Sequence, residues 1–314
     1  KSVHLLFGQT ADDEPLAFFY TRSENAGETW SAPVSVPTDH APPGRHQRGH
    51  DPKLAVSGDN LMALWTGKGG GPFGSGRLAT AISSDGGKTW RAGPSPAAGE
   101  PGSETAGFRF PAVTADAENF HAVWIHAQDM DRSLRHAKLP FQAENWTPTT
   151  VIDDHICACC WNQLRTTDDG ALLALYRDQE PSDMALAVSR DGGSSWERIG
   201  PVGAFDWDFL GCPHVGGGLA PGSGAFGETR LLATAWTGDA ESRGSYLLTS
   251  DDGGRSWHPQ LLPGTEAPGN VYTDLARISD EQAAVVWDRS LAPGSRAVFA
   301  ALTSDAGDSW TTPR

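Results

Sequence analysis

The sequence predicts an all-β chain folded as a single six-bladed β-propeller over residues 1–314. Three observations carry this. First, the apolar runs are short, rich in β-branched and aromatic residues, and bounded by Gly, Asp and Pro, with no long helical pattern. Second, an eight-residue motif recurs, Ser/Thr-x-Asp-x-Gly-x-x-Trp, here called an Asp box. Third, the closing tryptophans, Trp30, Trp90, Trp146, Trp196, Trp257 and Trp310, lie about 50–60 residues apart, the length of a four-stranded blade.

The boxes run Ser83 to Trp90, Ser189 to Trp196, Ser250 to Trp257 and Thr303 to Trp310. Ser23 to Trp30 is a weaker copy with Asn25 in place of Asp, and Ala143-Glu144-Asn145-Trp146 keeps only the tryptophan. Asp and Gly build a tight turn in which Gly takes a positive φ, and the Trp folds back onto the blade. The box is therefore expected to be scaffold. A second pattern precedes each box, a first strand followed by an apolar strand ending in Trp or Tyr. Its copies begin at His50-Asp51-Pro52, Arg109-Phe110-Pro111, Cys160-Trp161-Asn162, Val215-Gly216-Gly217 and Val271-Tyr272-Thr273. The sixth blade is expected to be assembled from the N-terminal strands Val3 to Pro33, which lack an evident first strand.

First strands of a propeller line its central channel, so their starts converge on one mouth. The expected channel lining is His50, Asp51, Arg109, Trp161, Asn162, His214 and Tyr272, with Arg177 and Arg289 at the ends of second strands.

With a net charge of −15, 38% hydrophobic and 20% charged residues, the chain has an ordinary globular balance and an acidic surface. A nucleic-acid partner is excluded, because a polyanion binder shows a basic face. No apolar run approaches the roughly 20 residues that span a bilayer. Lys1 to Thr10 is too short and mixed for a signal peptide, so a processed N-terminus is expected.

The boxes resemble the bacterial neuraminidase repeat of sialidases, across essentially the whole chain. That resemblance implies a sialidase-like glycoside hydrolase with a tyrosine nucleophile, an arginine clamp on the sugar carboxylate and an acidic acid/base group. A tyrosine suits an anionic substrate, which would repel a carboxylate nucleophile. Phe108-Arg109-Phe110-Pro111 is similar to the motif carrying the family's first arginine, and Tyr272-Thr273-Asp274-Leu275 to the motif around the nucleophile. Asp288 stands where the family braces that arginine, and Arg177 and Arg289 are the candidates for the other two. The order of blades departs from the family. There the nucleophile blade directly precedes the first-arginine blade, whereas here two blades lie between Tyr272 and Arg109. Weak or absent turnover of simple sialosides is therefore expected. Tyr176-Arg177-Asp178 reads equally as a strand-end ion pair.

A second set, Cys157-Ala158-Cys159-Cys160, Tyr176-Arg177-Asp178, the box at Ser189 and Gly211-Cys212-Pro213-His214, resembles exported bacterial members of the same repeat class without an assigned activity. It implies a periplasmic or extracellular protein. The four cysteines fall at the starts of two consecutive blades, which leaves two readings. Disulfides suit an oxidising compartment and an even count, with one bridge inside the short segment, as Cys157–Cys160 across a turn or between neighbours. Alternatively, if the segment is extended, Cys157 and Cys159 share a face, and with Cys160, Cys212, His155 and His214 they suit copper(I) or zinc(II). His40, His46 and His50 form a looser loop cluster. Three functions follow: an exported metal- or small-ligand-binding protein, a sialidase-like hydrolase, and a scaffold binding a glycan or a protein.

Overall fold

The computed structural model describes residues 2–10, 16–44, 51–71, 74–100, 108–128, 131–228, 230–267, 272–292 and 294–314. His46 and His50 lie outside the described residues. No α-helix occurs among the described residues, and no helix is long and apolar enough to cross a membrane. The chain forms two compact units, Lys1–Val151 and Ile152–Arg314, each with three antiparallel sheets in which chain neighbours pair.

In the first unit, β1 (Val3–Gln9), β2 (Ala17–Ser23) and β3 (Val34–Val36) form a three-stranded sheet. Next come β4 (Lys53–Ser57), β5 (Asn60–Lys68), β6 (Ser75–Ser83) and β7 (Arg91–Gly93), then β8 (Arg109–Ala115), β9 (Asn119–Gln128), β10 (Asp131–Pro140) and β11 (Thr150–Asp153), the last crossing the division between units. The second unit holds β12 (Gln163–Thr166), β13 (Leu172–Arg177), β14 (Met184–Ser189) and β15 (Glu197–Val202). These are followed by β16 (Leu219–Pro221), β17 (Leu231–Thr237), β18 (Gly244–Ser250) and β19 (His258–Leu261), and then by β20 (Thr273–Arg277), β21 (Ala283–Ala292) and β22 (Ser295–Thr303).

In the four-stranded blades that carry a complete box, the box joins the third strand to the fourth. In the first sheet it joins β2 to β3, so β1 to β3 hold the second, third and fourth places of a blade. The β20–β22 sheet holds the first three places. Its fourth is supplied by residues 311–314, through mutual backbone bonds of Ala300 and Arg314 and a bond from the Thr311 N–H to the Leu302 carbonyl.

The box is a closed local circuit. Ser83 Oγ donates to Asp85 Oδ1 at 2.8 Å and accepts from the Gly87 N–H at 2.9 Å. The Thr89 N–H and hydroxyl donate to the same carboxylate at 2.9 and 2.6 Å, and the Trp90 indole donates to the Gly87 carbonyl at 3.2 Å. The indole bond recurs at Trp257 and Trp310, and the hydroxyl–carboxylate bonds recur at Asp191, Asp252 and Asp305. These hydrogen bonds, the first from the hydroxyl four residues on, pull the Asp85, Asp191 and Asp305 carboxyls down to about 2. Asn25 is a full substitute for Asp: its Oδ1 accepts from Ser23 Oγ and the Thr29 N–H, while its amide donates to Thr29 Oγ1. Gly87, at φ 84°, is required because a Cβ there would strike the Tyr20 ring of the preceding blade. The box thus packs blade on blade.

The cores lie between adjacent blades. In the first unit Met62, Leu64 and Leu78 meet Phe108, Phe120 and Trp124. In the second, Leu173, Leu175 and Leu186 meet Leu219, Leu231 and Leu248.

The third sheet also buries a polar chain. His121 Nε2 pairs with Asp116 Oδ2 at 2.9 Å, and His121 Nδ1 faces His136 Nε2 at 3.1 Å. His136 Nδ1 in turn lies 3.4 Å from Thr150 Oγ1. Burial lowers the His121 pKa below its ordinary value, and the bond to Asp116 only partly offsets this. The neutral ring is therefore the folded form. Its contribution is complete above the unfolded value of about 6.5 and is lost as pH falls below it, where the unfolded chain binds the extra proton. The urea midpoint is expected to fall between pH 7.5 and pH 5, and the His121→Gln variant to show a flatter profile over that interval. Parallel profiles for the two proteins would refute the assignment.

Candidate functional site

The first strands predicted at Cys160 and Val215 begin later, at Gln163 and Leu219, while Val271 lies outside the described residues and β20 runs from Thr273. Residues 158–160 form a turn, so the extended geometry expected for Cys157 and Cys159 does not occur. The cause is tertiary. The Ile156 backbone bridges Asp178, and the Cys157 N–H donates to the Arg177 carbonyl at 3.0 Å, which ties the segment to the end of β13. The turn folds Cys157 Sγ to 3.0 Å from Cys160 Sγ and 3.6 Å from Cys159 Sγ. Cys159 forms a disulfide with Cys212, 53 residues on, across a Cα–Cα distance of 6.1 Å that suits such a bond.

Two ligand triads result, each with its donor atoms within 4.8 Å of one another. They are Cys157, Cys159 and Cys160, and Cys159, Cys212 and His214. Cys159 belongs to both. The first triad is buried; in the second, Cys212 is exposed and His214 half-buried. Burial, and then the neighbouring Cys157 sulfur, push the Cys160 thiol well above its ordinary range. His155 is exposed, belongs to neither triad, and donates its backbone N–H to Asp153.

Cys212 and His214 sit on the irregular connection 203–218, which holds Ala204, Asp206 and His214 at positive φ. Groups that the sequence reading did not single out fix this loop. Asp183, 2% exposed, accepts the Asp206 N–H at 2.8 Å and the Trp207 N–H at 3.5 Å, and burial pushes its carboxyl above the ordinary range. The Ser182 N–H donates to the Trp207 carbonyl and its hydroxyl to the Phe209 carbonyl. Trp207 stands edge-on to Trp236 at 5.1 Å and stacks on Phe209 at 4.7 Å.

Arg177 is 1% exposed, and its guanidinium clasps this loop. Nε donates to the Val215 carbonyl at 3.2 Å, Nη1 to that of Ser182 and Nη2 to that of Trp236 at 2.9 Å; the group also lies 5.6 Å from the Trp207 ring centre. The alternative ion pair within Tyr176-Arg177-Asp178 does not form in that way. Asp178 pairs with Arg198, and the Tyr176 hydroxyl donates to Asp153 at 2.7 Å.

The remaining candidates divide between the units. In the first, Arg109 is 7% exposed beside Phe110, which takes φ 50° at a register shift in β8, and Asp51 is exposed ahead of β4. His40 bonds the Thr80 carbonyl at 3.1 Å and packs edge-on to Trp65, so it belongs to the packing of its unit. In the second, Trp161 stacks on Tyr272 with ring centres 5.6 Å apart, and Asn162 is 3% exposed. The Arg296 guanidinium lies 5.7 Å from the Tyr272 ring centre. Asp288 accepts the Tyr272 N–H at 3.0 Å and pairs with Arg296 at 3.0 Å. Arg289 lies over Phe299 at 4.9 Å, and its buried Nε has no partner among the described residues.

No protein-family model matches the chain, and no curated protein matches its sequence. Solved structures do match. A protein of unknown function from Dyadobacter fermentans superposes with a TM-score of 0.62 at 16% identity, over 97% of this chain and 91% of that one. The intramolecular trans-sialidase of Ruminococcus gnavus, solved with oseltamivir carboxylate, gives 0.57 at 13%, over 91% and 87%. The fucose-recognising lectin of Aleuria aurantia, a six-bladed β-propeller, gives 0.53 at 12%, over 99% and 94%. These likenesses show the fold, an all-β six-bladed propeller of the sialidase-like kind.

Proposed function

We propose that this chain is an exported binding protein for a soft transition-metal ion, copper(I) or zinc(II), held by the reduced Cys157, Cys159, Cys160 and Cys212 with His214. The observation that carries the reading is the sharing of Cys159 by two triads drawn from two loops. Four sulfurs and one imidazole around a single residue give a thiolate-rich, three- or four-coordinate ligand set, the chemistry those ions select. A buried group of thiols that resists ionisation, as Cys160 does, becomes thiolate when a cation replaces the protons. Export agrees with the Cys159–Cys212 bond, since disulfides persist in oxidising compartments.

The test is anaerobic. Protein reduced with a thiol-free phosphine is titrated with copper(I) against a chromogenic chelator, and separately with zinc(II). About one ion per chain is expected to be retained, with loss of titratable thiol and weaker retention as pH falls. Four reactive thiols with no retained metal would refute the reading.

A second reading, glycan binding, is favoured by the Trp161–Tyr272 stack with Arg296 over the Tyr272 ring. A stacked aromatic pair beside a guanidinium offers an apolar face and a cation to an acidic sugar. Binding of a sialoside that Tyr272→Ala removes, with metal binding intact, would establish it.

A further inference from the structure

Two cysteines of the cluster share a disulfide and two do not, and all four sulfurs belong to one contiguous group. Cys157 Sγ lies 3.6 Å from Cys159 Sγ, a sulfur of the bridge, and 3.0 Å from Cys160 Sγ. Cys157, Cys159 and Cys160 are buried, whereas Cys212 is exposed.

The geometry points to an internal thiol–disulfide exchange that switches the Cys159–Cys212–His214 triad between a locked and a metal-binding state. This rests on the metal-binding reading above and adds its regulation. In the first step the Cys157 thiolate attacks Cys159 Sγ. A Cys157–Cys159 bond forms, the Cys159–Cys212 bond breaks, and Cys212 leaves as thiolate. In the second the Cys160 sulfur gives up its proton as it attacks Cys157 Sγ, forming Cys157–Cys160 and releasing Cys159 as thiolate. One disulfide is consumed and one is made. Two electrons pass from the Cys157/Cys160 pair to the Cys159/Cys212 pair, and the two protons of the first pair move to the second or, when metal binds, to solvent. No outside oxidant or reductant is needed. The product isomer carries a Cys157–Cys160 bridge across the turn and presents Cys159, Cys212 and His214 together. Thiolate attack through a mixed disulfide is the ordinary route of such exchange. A soft ion that binds one isomer shifts the population toward it in proportion to its preference.

The sequence supplies the assay. Trypsin yields Cys157, Cys159 and Cys160 on one peptide, 139–165, and Cys212 alone on another, 199–230. Protein with its one disulfide is incubated anaerobically with zinc(II), or with copper(I) as a chelator complex, without added thiol. It is then quenched in acid, alkylated, digested and mapped by mass spectrometry, and the retained metal is measured in parallel. Without metal, the two peptides are expected to be cross-linked. With metal, the cross-link is expected to give way to alkylated Cys212 and a bridge within 139–165, at a constant total of one disulfide. The Cys157→Ser variant should keep the cross-link, because the attacking thiol of the first step is removed. Its thermal unfolding against wild type confirms that it is folded.

A cross-link that persists while metal is retained overturns the exchange and leaves the metal reading standing. Exchange with no retained metal overturns the metal reading and the switch's role, and leaves the sulfur chemistry. Exchange in Cys157→Ser equal to wild type overturns the route.

Discussion

The Arg177→Met variant is expected to lose about 3–5 kcal/mol of stability, the cost of breaking a buried charge constellation, and to bind the metal about tenfold or more weakly, the usual cost of losing an outer support of a metal site. Arg177 donates to three backbone carbonyls, those of Val215, Ser182 and Trp236, in a site only 1% exposed. Methionine matches the apolar stem but removes the Arg177 donor from three carbonyls. It also removes the cation near Asp183, whose carboxyl fixes residues 206 and 207. Urea unfolding measures the first effect and chelator competition the second. Arg177→Lys should fall between, because an ammonium keeps the charge but lacks the planar fork that reaches three acceptors. The alternative role, an arginine of a carboxylate clamp, predicts the opposite pattern: stability unchanged and anionic-ligand binding lost. Wild-type stability in Arg177→Met would remove the positioning role.

What the sequence reveals here tracks how local each interaction is. The Asp box is legible because every bond in its circuit joins residues within four positions, so one copy of Ser-x-Asp-x-Gly-x-x-Trp contains all its partners. Even the Asn25 copy completes the circuit, since an amide can donate to Thr29 Oγ1 where a carboxylate accepts. Cys212 is brought to the other three because its loop leads into the blade after theirs. The turn at residues 158–160 is not legible, because its cause, the bond from the Cys157 N–H to the Arg177 carbonyl, spans 20 positions. Arg177 reads as a channel arginine for a related reason. Its acceptors lie at residues 182, 215 and 236, and no spacing in the sequence joins them. The His121–His136 chain needs the pairing of β9 with β10 to exist at all, in which Ala122 faces Ala137.

Within the cluster, Cys159→Ser should have the largest effect on metal binding, because it alone removes a ligand from both triads. Loss of an outer support costs a metal site about 10–100-fold, and loss of a shared ligand should exceed the upper figure. Cys157→Ser leaves the Cys159–Cys212–His214 triad, and Cys212→Ser leaves the buried one, so each should lose less. The oxidised proteins order differently. Cys159→Ser and Cys212→Ser both delete the same bridge, which closes a separation of 53 residues. Loop-closure entropy for that length corresponds to about 4 kcal/mol. Those two variants should therefore unfold at the same, lower urea concentration, while Cys157→Ser stays near wild type. Reduction should bring wild type down to them, since it removes the same constraint. The two orderings together separate the bridge from the ligand set: equality of Cys159→Ser and Cys212→Ser in oxidised unfolding, and inequality in reduced metal titration. Equal metal affinity in wild type and all three variants, measured on reduced protein, would show that the sulfurs hold the loops together and bind no ion.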